Sequence, residues 1–410
     1  MLNDTTPATS PSPERQYYLD WLRILAFGLL VLYHVGMYYV SWDWHIKSPN
    51  PLSALEPWMR LVAPWRMDLL FLVSGAVTSI MLRRRGAEGR WLRERAARLL
   101  WPLLFGMLVI VPPQSYLEVV HRFAYAGNYL DFMALYLSHF SGFCDASGHC
   151  LILPTWNHLW YLPYLFVYTL LLWGVLRRSP HLLDRLARAI APALAGLRLI
   201  IWPIVLLALA RIALRARFPV THALADDWFS HAQYFPMFIF GAVFGRATNL
   251  ATRMDALRWK ALACAMVAGA VMLVVSAQPG RLGGWASAGY AVVYSALQWC
   301  AIVAALGFAH RHLNFDASAR RYFTEAVFPI YILHQTLTIV LAHTLLPWAL
   351  APALEAPLLV AGTFGFSILG FKCVRRTGWL RPMFGLRRID AAKPGDSAHA
   401  RHAAPARLSR

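Results

Sequence analysis

The chain has 410 residues, of which 58% are hydrophobic and 14% are charged, and it contains 17 Trp. This composition is far from that of a soluble domain and is typical of a polytopic membrane protein. The net charge of +19 does not indicate nucleic-acid binding, because the Lys and Arg residues lie between apolar runs on alternate sides, as the positive-inside rule requires. We therefore expect the lipid bilayer as a partner and no nucleic acid, and the sequence leaves the oligomeric state open.

The N-terminal segment 1–14 is polar, and we expect it to be a disordered cytoplasmic tail. The first apolar run, 17–40, is too long for the h-region of a signal peptide, and no small-residue cleavage site follows it. This run is therefore expected to stay in the mature protein as a membrane span.

Apolar runs of sufficient length predict an all-α integral membrane protein, a bundle of about ten transmembrane helices. The predicted spans are 17–40, 64–82, 99–116, 158–176, 199–215, 232–248, 260–277, 287–309, 322–346 and 355–374. With the N-terminus inside, all but eight of the 39 Lys and Arg residues fall on the cytoplasmic side. The eight on the outer side are Lys47, Arg60, Arg66, Arg122, Arg211, Arg215, Arg217 and Arg281. This distribution favours ten spans with both termini cytoplasmic.

Residues 15–376 are predicted to form one membrane domain. The segment 377–410 is rich in Arg, Ala and His and has no apolar periodicity. We expect this C-terminal tail to be basic, cytoplasmic and disordered.

The first span carries Asp20, Arg23 and His34. Ionisable groups inside a membrane helix are costly, so they face protein or a wet cavity rather than lipid. At 100° per residue Arg23 and His34 share one face, roughly 16 Å apart along the axis. Arg23 could instead reach the interface beside Asp20, and a lone His could be an ordinary core residue. The alignment of the three groups favours a functional polar track along this helix.

Other polar side chains in the predicted spans could complete a cavity around His34. They are Asp68, His158, Glu325, Tyr331 and His334. A carboxylate that orients the imidazole is the usual arrangement for a general base, and Asp20, Asp68, His158 or Glu325 could take this supporting part. Ser74 and Gly75 in the second span are expected to allow close helix packing.

The loop 83–98 contains seven arginines, which set orientation and contact anionic lipid. Arg95 and Arg98 stand three residues apart just before the third span, on one helical face. This spacing suits a clamp for the phosphates of a cytoplasmic cofactor.

The longest outer segment, 117–157, has aromatic residues at helical spacing between Tyr129 and Phe140. This pattern predicts an amphipathic helix at the outer interface, and the alternative is a stacking floor for a sugar. Cys144 and Cys150 also lie outside, where an oxidising compartment allows a short-loop disulfide. No Cys/His arrangement has metal-ligand spacing, so we expect no metal.

These features together resemble the acyltransferase 3 family of bacterial inner-membrane acyltransferases. The resemblance rests on the spacing from Arg23 to His34, LLFLVSG at 69–75, the pair Arg95 and Arg98, and YILH ending at His334. It extends over about 15–376. The runs RMDLLFLVSG, LVIVPPQSYLE and NHLWYLPYL are most similar to a branch that acts in glucan biosynthesis.

The resemblance implies transfer of an acyl group from cytoplasmic acyl-CoA, acetyl-CoA or succinyl-CoA, to a hydroxyl on the outer face of the inner membrane. It also implies that His34 is essential, that Arg23 supports it, and that Arg95 and Arg98 lie near coenzyme A. For the glucan branch it implies a succinyl group and a periplasmic glucan as the acceptor.

Our hypothesis is that His34 takes the proton of the acceptor hydroxyl or, as an alternative, carries the acyl group itself. A succinyl group would need a cation for its second carboxylate, and Arg66 or Arg211 is the candidate. The rival hypothesis is a secondary transporter or flippase for an envelope glycan or lipid-linked precursor, since intramembrane charges also mark transport paths. No inverted repeat supports it, and a sensory or scaffold protein would leave the buried His and Arg without a use.

Overall fold

The computed structural model describes residues 16–146, 148–247, 249–278 and 283–388. The predicted N-terminal tail 1–14, Arg281 and the part of the predicted C-terminal tail from 389 onward lie outside the described residues. Within the described ranges the chain is helical throughout, apart from loops and one isolated β-bridge between Cys144 and Cys150.

The helices include one for each predicted span except the third, 99–116, which is divided between the fourth and fifth helices. They are α1 (Tyr17–Tyr39), α2 (Glu56–Val62), α3 (Arg66–Arg85), α4 (Gly89–Phe105), α5 (Pro112–Phe123), α6 (Tyr129–Leu137), α7 (Tyr161–Arg178), α8 (Leu182–Ile190), α9 (Arg198–Leu214), α10 (Trp228–Phe244), α11 (Leu250–Ser276), α12 (Gly284–His312), α13 (Ser318–Leu345), α14 (Pro352–Arg376) and α15 (Leu380–Met383).

Seven helical segments in the described ranges are long and apolar enough to cross a membrane, or up to eight if the bent pair formed by α4 and α5 is one span. Helices α9 and α10 have 17 residues each, below the usual length of about 20 for a membrane crossing. The predicted all-α polytopic membrane bundle is confirmed. The number of ten crossings and the cytoplasmic position of both termini stay predictions.

The bundle has two ends, which we name by their charge. The basic end holds the arginine-rich stretch 83–98, the loop 313–317 and the segment 377–388. Helix α1 starts at this end, where the indole nitrogen of Trp21 donates to the carbonyl of Phe315 at 3.3 Å. The opposite end holds the loops 40–65, 124–156 and 215–227, and α1 finishes there.

Helices α3 and α10 pack closely because glycines face the neighbouring backbone. A Cβ on Gly75 would lie 1.9 Å from the carbonyl oxygen of Phe238, and a Cβ on Gly241 would lie 1.9 Å from that of Leu72. The predicted packing role of Gly75 is therefore confirmed. Ser74 does more than pack, since its hydroxyl lies 2.6 Å from that of Tyr161.

The third predicted span bends before it ends. After α4 the chain forms a short π-helical stretch, Gly106–Ile110, and the helix axis turns by 40° into α5. The hydroxyl of Thr336 on α13 donates to the carbonyl of Ile110 at 2.7 Å. Such π-stretches often occur at functional sites, and this one directs Gln114 of α5 towards α13.

The predicted helix in the outer segment is present as α6, but its aromatic residues do not share one role. Phe132 and Tyr136 are fully buried against Val119 and Phe143, whereas Leu130 is exposed. The buried rings therefore neither lie in lipid nor form an open floor for a sugar. Beside them, Cys144 and Cys150 are joined by a disulfide.

The first part of the predicted C-terminal tail, 377–388, is folded. It contains α15, and Phe384 and Leu386 are buried. The ring of Phe384 contacts that of Phe105 on α4 at 5.5 Å. These apolar side chains were too few and too widely spaced to show a period in the sequence, although they anchor the segment to the bundle.

Candidate active site

Helices α1 and α13 bring two histidines into contact. His34 Nδ1 lies 2.8 Å from His334 Nε2, and the two rings stack at 5.0 Å with 18° between their planes. His334 is fully buried, while His34 is partly exposed and lines a large cavity. We call these two residues the histidine pair.

The hydrogen bonds of the pair define which nitrogen of each neutral ring carries a proton. His334 Nδ1 lies 2.6 Å from the carbonyl oxygen of Tyr331, which can only accept, so Nδ1 carries the hydrogen and Nε2 has the lone pair. His34 Nδ1 must therefore donate to His334 Nε2. This leaves His34 Nε2 unprotonated, which is the tautomer that a general base requires.

His158 and Tyr331 fix the position of His334. The Nε2 atom of His158 donates to the carbonyl of Ile332 at 3.1 Å, and its ring meets that of His334 edge-on at 5.2 Å. The hydroxyl of Tyr331 donates to the carbonyl of His158 at 2.8 Å. Of the predicted site residues, the structure thus brings His34, His158, Tyr331 and His334 together.

The cavity beside His34 has a volume of about 940 Å³ and reaches the opposite end of the bundle. We call it the histidine cavity. Its wall combines aromatic rings with polar side chains, including Tyr33, Trp44, Trp160, Tyr234, Tyr290, Tyr294, Arg66, Asp68, Arg211, His222, Gln233 and Gln298. Rings can pack on the C–H faces of a sugar while polar groups bind its hydroxyls, so this wall suits a carbohydrate.

Two arginines in the histidine cavity have atoms without partners. The Arg66 guanidinium lies over the ring of Tyr33 at 3.4 Å, and that of Arg211 lies over Tyr294 at 3.7 Å. The Nε atoms of both, and one terminal nitrogen of Arg66, are buried without a hydrogen bond. Within the described ranges neither arginine forms an ion pair. The two side chains therefore offer positive charge to a bound anion.

His222, in the loop before α10, adds a neutral ring to this cavity. Burial lowers the pKa of His222 to about 4, so the ring is uncharged at pH 7. It stacks on Trp160 at 4.1 Å. The cavity therefore owes its positive charge to arginines rather than to this histidine.

In the part of the chain that the structure describes, no carboxylate contacts His34, although one was expected to orient it. Asp20 lies near the start of α1, about 21 Å along the axis from His34, and forms an ion pair with the buried Arg320. Glu325 is also at the basic end, 3.5 Å from Arg375 and 3.5 Å from Arg381. Neither carboxylate can orient His34, and His334 occupies that position instead.

Asp68 and His158 complete the set of supporting candidates. Asp68 is buried and lines the histidine cavity, but no contact joins it to His34 in the described part of the chain. One of its carboxylate oxygens has no hydrogen bond. His158 contacts His334 rather than His34, so it supports His34 only indirectly, by fixing the position of His334.

Arg23 does not share a cavity with His34. Its guanidinium is 3.4 Å from the carbonyl of Thr324 and 3.9 Å from Asp20. The polar track predicted along α1 is interrupted above it, because the rings of Phe27, Tyr161 and Tyr331 pack between Arg23 and His34. Phe27 and Tyr331 are 5.1 Å apart, and Phe27 and Tyr161 are 6.4 Å apart.

Arg95 and Arg98 line a second cavity, of about 570 Å³, at the basic end. We call it the arginine pocket. The Nε atom of Arg95 is buried without a partner, while that of Arg98 donates to the carbonyl of Gly385 at 3.1 Å. The arginine pocket and the histidine cavity have no lining residue in common.

Sequence reasoning placed Gln335 at mid-depth but missed its partners His45, Gln114 and Glu118, which form a polar network with it behind the histidine pair. Gln335 Nε2 lies 3.0 Å from His45 and donates to Gln114 Oε1 at 3.1 Å. His45 Nδ1 in turn lies 2.5 Å from Glu118. The spacing of Gln114 and Glu118, four residues apart after the proline pair, was a signal for one polar helix face. The third span was predicted to end at 116, so Gln114 and Glu118 were not recognised as residues of one helix.

Comparison with known proteins identifies the family of this chain. Residues 16–372 match the profile of the acyltransferase 3 family, which is described as an acyltransferase domain. "Glucans biosynthesis protein C" of Salmonella gallinarum is 25% identical over 344 residues, which cover 80% of this chain and 83% of the relative. The protein of the same name from Escherichia coli O81 is 25% identical over 343 residues, covering 80% and 84% respectively. No solved structure matches the chain.

Proposed function

Because the chain belongs to the acyltransferase 3 family and is a multi-pass membrane acyltransferase, we propose that it transfers an acyl group from acyl-coenzyme A to a hydroxyl of an envelope glycan. The names of its relatives, which refer to glucan biosynthesis, support a glucan as the acceptor, and we propose that this glucan is periplasmic and that the protein lies in the bacterial inner membrane. The observation that carries the proposal is the histidine pair, which leaves His34 Nε2 unprotonated beside a cavity suited to a sugar.

In the proposed reaction the acceptor hydroxyl attacks the thioester carbonyl, and His34 Nε2 takes the hydroxyl proton. The new C–O bond forms, the C–S bond breaks, and the coenzyme A sulfur leaves as a thiol after it receives that proton from His34. The hydrogen on His34 Nδ1 stays in its bond to His334 throughout. His334 is a positioning residue, because it holds the ring without touching the reacting atoms.

Direct transfer is favoured over an acyl-histidine intermediate. The same Nε2 atom would be the nucleophile in the second route. The histidine cavity, at about 940 Å³, has room for a sugar ring beside Nε2 while the thioester is present, so a separate acyl-enzyme step is not required.

The donor enters from the basic end, with its phosphates in the arginine pocket beside Arg95 and Arg98. The thioester arm then passes Arg23 and displaces the packed rings of Phe27 and Tyr161 to reach His34. When no donor is bound, these rings keep water from crossing between the cavities. Exclusion of water protects a thioester from hydrolysis.

The acyl group is proposed to be succinyl rather than acetyl. A succinyl group carries a second carboxylate, and Arg66 and Arg211 in the histidine cavity offer two guanidinium groups without ion-pair partners in the described ranges. An acetyl group has no second carboxylate and would offer neither guanidinium group an anionic partner.

Purified full-length protein in nanodiscs, incubated with radiolabelled succinyl-coenzyme A and periplasmic glucan, tests the proposal. We expect labelled glucan and one free thiol for each ester formed, and a loss of about 10²- to 10⁴-fold in kcat for His34→Ala. His343→Ala is the matched control, since His343 is exposed and contacts His121 outside the cavity. A transporter would give neither labelled glucan nor thiol, and a His34→Ala enzyme with parental turnover would remove His34 from the role of base.

A further inference from the structure

We propose that the segment 384–388, after the last predicted span, is part of the donor site, and that Arg387 and Arg388 bind phosphate groups of coenzyme A together with Arg95. The inference rests on the proposed function, because it takes acyl-coenzyme A as the donor. The segment lies beyond residues 16–372, which match the family profile, so it is a feature of this chain outside the shared domain.

The segment is held in one conformation by packing and by the backbone. Gly385 has a φ of +68°, and a Cβ there would lie 2.5 Å from the Phe328 ring and 3.2 Å from the carbonyl oxygen of Arg98. Only glycine fits such a turn without strain. The bond from Arg98 Nε to the Gly385 carbonyl and the buried Phe384 fix the turn on both sides. Arg387 and Arg388 are thereby placed on the wall of the arginine pocket.

The charges of the arginine pocket are not balanced by its own side chains. Glu94 is its lining carboxylate, and this group is already paired with Arg85 at 2.9 Å and with Arg90 at 3.2 Å. Four other guanidinium groups line the pocket and form no ion pair within the described ranges. They are Arg95, Arg98, Arg387 and Arg388. So many like charges around one cavity indicate an anionic ligand.

The ligand that fits is a nucleotide with several phosphates. Coenzyme A carries a pyrophosphate and a ribose phosphate, which together can engage several guanidinium groups, whereas one lipid phosphate engages one or two. The indole of Trp101, which is 51% exposed, lines the same pocket and offers an apolar face to an adenine ring. The volume of about 570 Å³ lies within the usual range for ligand pockets.

Titration calorimetry with coenzyme A tests the inference on full-length protein in phosphatidylcholine nanodiscs. The test variant is the double substitution Arg387→Gln/Arg388→Gln. The matched control is Arg83→Gln/Arg84→Gln, which removes two exposed charges from the same end without touching the pocket. We expect the Kd of coenzyme A to rise about tenfold to hundredfold in the test variant and to stay unchanged in the control. The KM for the acyl donor should rise in parallel, with kcat at saturating donor unchanged.

The outcomes separate this inference from the proposed function. If Arg387→Gln/Arg388→Gln binds coenzyme A with the parental affinity, the segment 384–388 is not part of the donor site. The proposal that acyl-coenzyme A is the donor is unaffected by this result. A parent protein that does not bind coenzyme A overturns both. The phosphate groups could also come from lipid headgroups, so the titration is repeated in nanodiscs that contain phosphatidylglycerol. If the double substitution changes the affinity for coenzyme A only when this anionic lipid is present, the arginines bind headgroups and the inference is wrong.

Discussion

The histidine cavity and the arginine pocket satisfy their polar groups in opposite ways. In the histidine pair every ring nitrogen except His34 Nε2 has a hydrogen-bond partner. In the arginine pocket, Arg95 has a buried nitrogen with no partner at all. In the proposed function the histidine pair is already organised for one proton transfer, whereas the arginine pocket is completed by a bound anion. Substitutions in the histidine pair should therefore lower kcat, and substitutions in the arginine pocket should raise the KM for the donor.

The largest effect expected from a residue that does not touch the substrate is at His334. His334→Leu removes the acceptor of the His34 Nδ1–H bond, so the wrong tautomer becomes accessible, and kcat should fall by about 10²-fold. His334→Gln should recover part of this loss, because its amide oxygen can accept the same hydrogen. Steady-state kinetics and pH profiles of both variants, with coenzyme A affinity as the folding control, check the result. Equal kcat in His334→Leu and the parent would show that the pair does not position His34.

Substitutions in the arginine pocket should change the KM for the donor rather than kcat. Arg95→Gln removes a half-buried cation from the proposed phosphate site, and we expect the KM for acyl-coenzyme A to rise about tenfold to hundredfold while kcat at saturation changes little. Arg93→Gln, on the exposed face of the same helix, is the control. A fall in kcat with an unchanged KM in Arg95→Gln would contradict the assignment of donor binding to the arginine pocket and of proton transfer to the histidine pair.

The two arginines of the histidine cavity sharpen the comparison, because they should affect the choice of acyl group. Arg66→Gln and Arg211→Gln should each lower the preference for succinyl over acetyl donors by about tenfold. Competition between the two donors, analysed by mass spectrometry of the glucan, measures this ratio. Arg217→Gln is exposed outside the cavity and should leave the ratio unchanged. If all three variants keep the parental ratio, the carboxylate is bound elsewhere.

The smallest effect concerns stability at the basic end. Hydrogen bonds from Arg320 hold the pKa of Asp316 below its usual range. Because the folded pKa is lower than the unfolded value of about 4, the stabilisation is present above that value and is lost as the pH falls through the folded pKa. Thermal unfolding of Asp316→Asn in detergent should show a lower Tm than the parent at pH 7 and the same Tm at low pH. A constant difference at every pH would contradict this assignment.

The sequence predicted the long apolar helices, but not the short helices α2, α8 and α15 and not how the helix faces meet. Periodicity along α1 predicted that Arg23 and His34 share one helix face. It could not show that His34 meets His334, or that Asp20 meets Arg320, because each pair is 300 residues apart in the chain. The rotation of one helix against another depends on packing, such as the close approach at Gly75. Because packing between helices could not be predicted, the sequence of α1 alone suggested a continuous polar track, which rings from α7 and α13 interrupt.

The position of Arg95 and Arg98 could be predicted because it depends on local features. Two arginines three residues apart lie on the same helix face wherever the helix packs. Arg387 and Arg388 were not predicted as part of this pocket, since their placement depends on the turn at Gly385 and on its contact with a distant helix. Local patterns therefore identified two of the four arginines of the arginine pocket that form no ion pair within the described ranges, and both residues of the histidine pair but not the contact between them.

The account depends most on donor and acceptor reaching the protein from opposite ends. Proteoliposomes with protein in one orientation, fixed by protease access to a C-terminal tag, allow acyl-coenzyme A and glucan to be supplied on chosen sides. We predict labelled glucan when the donor is on the side of the arginine pocket and the glucan is on the side of the histidine cavity, and none with His34→Ala. Transfer that occurs only when both substrates are on the same side would contradict the account.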